Sequence, residues 1–163
     1  MARRTVTRLS FHHFAEMEPP FREMSRVLKN RGKLVIIDME ATREQLRETE
    51  DRIETMRDVS HVRNRSKKEF LDLYETYGYD VVKVETTPIS VRLNAWMQLT
   101  QTPDAVQKEI LSLMQQERQG GLQTGFFPYE KEREICFDQR WLRMIGIKDR
   151  AKALEACGAP ANG

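Results

Sequence analysis

The stretch "KLVIID", residues 33–38, sets three apolar residues, Val35, Ile36 and Ile37, in immediate succession. A strand with one face in water alternates apolar and polar residues, so a consecutive run predicts a strand covered on both faces, as in parallel α/β sheets. Just before it, "EPPFREMSRVLK" puts Phe21, Met24, Val27 and Leu28 on one helical face. Its prolines stand where a helix has no partners for its first N–H groups. Gly32, between the two, is free to take positive φ and is expected to let the helix stop and turn. Upstream, "RTVTRLSF", residues 4–11, has strand length and β-branched content, and His12 and His13 mark its opening into a loop. Strand, helix and strand in this order predict a right-handed βαβ unit, and a doubly wound sheet is the economical topology.

The rest of the chain continues the alternation. Thr42 and Gln45 form a capping-box pattern before a highly charged helix over 43–57, whose few apolar points, Leu46, Ile53 and Met56, predict a surface or lid helix. Ser66 and Glu69 form a second box before a helix with the buried stripe Phe70, Leu73, Tyr74 and Tyr77, ended by Gly78. "YDVVKVETTPISVRL" reads as a long strand with Pro88 at a bulge or edge. Thr102 is expected to cap an amphipathic helix with Pro103 in its first turn and Val106, Ile110, Leu113 and Met114 inward. A glycine- and aromatic-rich loop then leads to "REICFDQRWLRMIGIK", a strand with Ile135, Phe137 and either Trp141 or Leu142 as core residues. One domain over residues 1–148 and a flexible tail over 149–163 are expected.

At 163 residues the chain is long enough for one sizeable core. A net charge of +2, with both signs interleaved, gives no strong attraction to nucleic acid or membrane. Arg63, Arg65, Lys67 and Lys68 read as a solvated loop and helix start, since no aromatics are interleaved with them. No apolar run has transmembrane length, and no signal-peptide core follows the basic start. Cys136 and Cys157 lie far apart without CxxC spacing, so a reducing cytoplasm is the expected setting. Three histidines and no cysteine pair leave no metal constellation.

"TRLSFHHFAEMEPPFREMSRVLKNRGKLVIIDM" resembles the central segment of S-adenosylmethionine-dependent methyltransferases of the Rossmann-like class I, in particular the type 11, ubiquinone-biosynthesis-like group. In that family the fourth strand ends in a substrate-facing loop, and a helix ending in "RVLKPGG" leads to a fifth strand. Here Asn30 and Arg31 replace the usual Pro-Gly. "RDVSHVRNRSKKEFLDLYETYGYDVVKVE" resembles the next helix and sixth strand, and "ICFDQRWLRMIGIK" the seventh, antiparallel strand. The resemblance implies an α/β fold: a truncated Rossmann-like methyltransferase sheet, strands four to seven with flanking helices, lacking the N-terminal cofactor-binding half. Gly120, Gly121 and Gly125 do not fit the glycine-rich cofactor turn and read as loop residues.

The resemblance implies S-adenosylmethionine as cofactor, with poor or no binding expected of this chain alone; the cofactor-binding residues are unknown. His12 and His13 are the catalytic candidates, because the strand before them ends beside the methyl group in that family. One would orient an acceptor or take its proton; the competing reading is core packing and loop bonding. His61, with Asp58, and Tyr129, with Phe126 and Phe127, are candidates for substrate binding, against loop bracing and core cover. Asp38 either faces the substrate side or caps the next segment. The function so implied is the substrate-side half of a small-molecule methyltransferase, inactive alone. The alternative is a non-catalytic interaction module. Either way an exposed edge at residues 4–11 predicts a homodimer or a partner supplying the N-terminal half. The remaining expected partner is a small-molecule methyl acceptor.

Overall fold

Val6, Val35 and Ile145 lie side by side across three neighbouring strands, and the sheet is built outward from that row. The computed structural model describes residues 2–149, 151 and 152. Its strands are β1 (Ala2–Arg8), β2 (Leu28–Met39), β3 (Tyr79–Arg92), β4 (Tyr129–Lys131) and β5 (Glu134–Lys148). Their order is β1-β2-β5-β3, with β4 paired to β5. β1 and β2 are parallel, joined by helix α1 (Glu18–Val27), and β5 is antiparallel to both β2 and β3. The expected α/β sheet with an antiparallel last strand is therefore present. The tail assigned to 149–163, and Cys157 with it, lies outside the described residues apart from 149, 151 and 152.

Helices α1 and α3 (Lys67–Thr76) cover one face. Phe21, Leu34, Ile36, Phe70 and Tyr74 have no exposed surface there, and burial of each such side chain contributes about 1.5–3 kcal/mol. The rings of Phe21, Tyr74 and Tyr79 meet edge to face at 5.2–5.5 Å. On the other face Val35 and Ile37 are only half-buried and Val6 is 61% exposed. The run "KLVIID" predicts two covered faces, and the described residues fully cover one.

A second core lies at the carboxyl end of β2. There α2 (Arg47–Arg57), α4 (Leu93–Leu99) and α5 (Asp104–Arg118) gather Ile53, Trp96, Met97, Ile110 and Met114 around Phe126 and Phe137. α4 has no counterpart in the sequence reading. Nor is α2 a lid, since it buries Arg47, Glu50, Ile53 and Glu54.

Several local expectations change. Gly32 does not carry the positive φ; Arg31 does, at 61°. Gly32 is needed for space instead, because a Cβ there would lie 2.8 Å from the Lys29 carbonyl oxygen. Thr42 does not cap a helix, since its N–H and hydroxyl donate to Glu50. Thr102 likewise gives its hydroxyl to the Arg57 carbonyl, and Pro103 takes the N-cap position. The Ser66–Glu69 capping box forms with both of its hydrogen bonds. Pro88 sits on the edge strand β3, while the register shift falls between Val81 and Lys83. Arg65 is buried and not solvated, donating to the carbonyls of Phe14 and Ala15.

Candidate active site at the carboxyl ends of β1 and β2

β1 stops at Arg8, earlier than the expected end at Phe11, because Leu9 turns into the left-handed region at φ 51°. From there the backbone is taken over by Asp38, at the end of β2. Its Oδ2 accepts the N–H groups of Ser10 and Phe11 at 2.9 and 2.7 Å. Phe11 inserts into the core beside Phe70, and residues 11–13 close into a single 3₁₀ turn. This turn presents the two histidines.

His12 is buried and its Nδ1 lies 2.6 Å from Oδ1 of Asp38. The carboxylate accepts, so Nδ1 carries the proton, and Nε2 is the ring nitrogen left to meet a ligand. Nε2 has no hydrogen-bond partner among the described residues. His13 donates from Nδ1 to the Ser60 carbonyl at 2.9 Å, which leaves its Nε2 likewise without a partner among the described residues. Ser60 is itself braced by Asp58 through its hydroxyl at 2.6 Å and its N–H at 2.9 Å. Burial works against the Asp58 charge, but these hydrogen bonds and Arg57 outweigh it and hold the carboxyl below its usual range.

His61 does not pair with Asp58. Its Nε2 lies 2.9 Å from Asp51 on α2, and Asp51 also accepts the Asn64 N–H. The neighbouring backbone N–H groups of Val62 and Arg63 both donate to the His12 carbonyl. The His61 ring stacks on His12 at 5.7 Å and is buried, so its position is that of a brace behind the turn.

In front of the turn opens a cavity of about 480 Å³, walled by His12, His13, Met39, Asp58, Trp96 and Trp141. Arg8 lies 5.0 Å over the Trp141 ring and Arg57 4.5 Å over that of Trp96. Cation–π stacking holds both cations against the walls. Tyr129 is not part of this cavity. Its hydroxyl bonds Asp138 and Ser90, on the face of β5 opposite to Gln139 and Trp141.

Behind the site, Glu50 and Glu54 on α2 are buried together, and with Glu40 and Asn64 they line a void of about 20 Å³. Burial pushes Glu50 up to about 7 and Glu54 up to about 8, with neighbouring acids adding to both. Among the described residues no group of three or more His, Cys, Asp or Glu is arranged to hold a metal ion.

A nucleotide-type cofactor needs glycines that open a helix after a strand, and a free carboxylate for ribose hydroxyls. Gly120 and Gly121 instead follow the end of α5, and Gly125 packs against Thr42 and Glu50. Asp38 is occupied by its own N–H donors. The described residues alone do not fit such a cofactor.

No family model matches the chain. It is 29% identical to the uncharacterised protein YafE of Escherichia coli (strain K12) over 102 residues, which is 62% of this chain and 49% of YafE. It is 26% identical to the uncharacterised methyltransferase YcgJ of Bacillus subtilis (strain 168) over 106 residues, 64% of this chain and 42% of YcgJ. The chain thus spans about half the length of the curated relatives it matches. Among solved structures, the candidate methyltransferase BH2331 of Bacillus halodurans C-125 superimposes with a TM-score of 0.77 at 20% identity, over 90% of this chain and 64% of that one. YcgJ superimposes with a TM-score of 0.73 at 22% identity and the same coverages, 90% and 64%. A phosphoethanolamine N-methyltransferase of Haemonchus contortus, in complex with phosphomonomethylethanolamine and S-adenosylhomocysteine, aligns at 0.50 and 11% identity over 90% of this chain and 33% of that one.

Proposed function

We propose that this chain, whose fold is that of the class I S-adenosylmethionine-dependent methyltransferases, carries the acceptor side of a methyl-transfer site for a small molecule. The observation that carries this reading is His12, clamped by Asp38 at the end of β1 on the wall of the 480 Å³ cavity. Methyl transfer is an in-line displacement that gains most from positioning, and needs a base only when the acceptor must lose a proton. Nε2 of His12 takes that proton. Asp38 keeps Nδ1 protonated and stabilises the imidazolium that forms. His13, fixed by Ser60 and Asp58, orients the acceptor. His61 acts behind them as a positioning residue.

S-adenosylmethionine enters this reading from the fold and the methyltransferase relatives. The described residues lack its cradle, so the chain alone is expected to be inactive, with the cofactor side supplied from elsewhere. Residues 1–148 form the domain in this reading, and the cytoplasm, where the buried thiol of Cys136 stays reduced, is its location. Two measurements test it. Calorimetry of the chain with S-adenosylmethionine should give no micromolar binding; clear binding would overturn the claim of inactivity alone. NMR titration with a panel of small phenols and amines should shift the His12 and His13 ring resonances, and a panel with no effect at millimolar concentration would count against an acceptor pocket.

A second reading, a non-catalytic interaction module, is favoured by one feature. β1 is the outer strand of the described sheet, with Val6 largely exposed. Such an edge templates association. A second copy or a cofactor-side chain would pair along Ala2–Arg8 and not along the whole of the expected 4–11, because Leu9 leaves the strand and Phe11 lies inside the core. A monodisperse monomer in light scattering at micromolar concentration would argue against it.

A further inference from the structure

The cavity beside Tyr129 lies outside the histidine site and has no role in the proposed transfer. We propose that it is a separate binding site for a small aromatic carboxylate. The cavity measures about 360 Å³, within the range of small-ligand pockets, and its apolar wall consists of Pro88, Phe126, Phe127 and Tyr129. Phe127 is held at φ 50°, where an L side chain crowds its own backbone, yet 42% of the residue remains exposed. Burial therefore does not account for the strained placement, which stands the ring at the cavity's border. Strain of this kind collects where a ligand is met.

Arg43 supplies the charge. Its guanidinium lies 5.0 Å over the Phe127 ring and has no carboxylate in ion-pair range among the described residues. Arg140 lines the cavity as well, and its nearest acid, Glu40 at 3.2 Å, is shared with Lys67 and Thr86. The one acid on the wall, Asp138, is engaged by the Tyr129 hydroxyl at 2.8 Å. A flat ring can lie against Phe127 and Tyr129 while its carboxylate meets Arg43. Charge-assisted pairing of a guanidinium with a carboxylate favours that class over neutral arenes.

The test is calorimetric titration of the full chain with 1-naphthoate, with 1-naphthalenemethanol as the neutral control. Naphthoate is expected to bind at least tenfold more tightly than the alcohol, and Arg43→Gln is expected to abolish that preference. Phe127→Gly should also weaken naphthoate at least tenfold while leaving the melting temperature unchanged or higher, because it removes backbone strain. Absence of naphthoate binding at millimolar concentration, equal binding of acid and alcohol, or binding unchanged in Arg43→Gln would overturn the proposal. None of these readouts involves methyl transfer, so this site and the histidine site stand or fall separately.

Discussion

Nδ1 of His12 lies 2.6 Å from Oδ1 of Asp38, while Oδ2 of the same carboxylate accepts the backbone N–H groups of Ser10 and Phe11. One buried side chain thus ends β1, folds the 3₁₀ turn and fixes the histidine tautomer. Asp38→Asn would replace one acceptor oxygen by an amide that can only donate, leaving at least one buried N–H unmatched. A loss of about 2–4 kcal/mol is expected in urea unfolding. His12→Gln keeps the backbone clamp and should cost less, about 1 kcal/mol. Equal costs for the two variants would mean that the imidazole pair, and not the clamp, holds the turn.

Glu50 and Glu54 lead to a pH prediction of definite sign. Both folded pKa values, about 7 and about 8, are raised above the ordinary 4.5, chiefly by burial. The folded state therefore binds more protons than the unfolded chain between those limits. The stability contribution is fully present below pH 4.5 and is lost as pH rises through 7 and 8. Melting temperature is expected to fall between pH 6 and pH 9, and Glu54→Gln to flatten that fall, gaining about 1–3 kcal/mol at the alkaline end. Parallel curves for the variant and the natural chain would show that Glu54 stays charged at little cost.

What was legible in the sequence was local. The β1-α1-β2 unit and the Ser66–Glu69 box rest on residues a few positions apart, and both formed. The site depended on long-range pairings. Asp38 and His12 are separated by 26 positions, and no spacing rule connects them. His61 stands three residues from Asp58, which made that acid the natural partner, but the ring faces α2 and meets Asp51. Tyr129 lay open to assignment with the histidines until strand parity put it across the sheet. α2 looked like a solvated lid because its charges were counted without partners; folding supplies them, as in Arg47 with Glu69 at 3.0 Å. The helix α4 follows a fourteen-residue strand directly, and its reason to exist is the packing of Trp96 on Phe137, 41 positions away.

Gly146 carries a packing prediction. It lies in β5 under the aromatic cluster, where a Cβ would sit 2.4 and 2.5 Å from Cδ1 and Cε1 of the Tyr74 ring. That ring is fully buried and its hydroxyl donates to the Leu34 carbonyl, so it cannot swing aside. Gly146→Ala is expected to cost about 2–3 kcal/mol, read in urea unfolding. A cost below about 0.5 kcal/mol would show that the tyrosine has room to move.

Arg31 and Gly32, near the start of β2, separate two requirements that the sequence places on one glycine. Arg31 occupies the left-handed region at φ 61°, a conformation costing an L residue about 1–2 kcal/mol. Gly32 keeps ordinary φ but is closed in by the Lys29 carbonyl and the Leu28 side chain at 2.8 and 2.9 Å. Arg31→Gly should therefore stabilise the chain by about 0.5–1 kcal/mol, the relieved strain exceeding the extra freedom of the unfolded glycine. The ion pair lost with Arg31, at 3.7 Å from Asp80 and largely exposed, is too weak to reverse the sign. Gly32→Ala should destabilise by about 1–3 kcal/mol, since a backbone oxygen cannot yield as a side chain would. Thermal melts of the two variants should move in opposite directions. If both fell, the positive φ at Arg31 would be a conformation the arginine side chain supports.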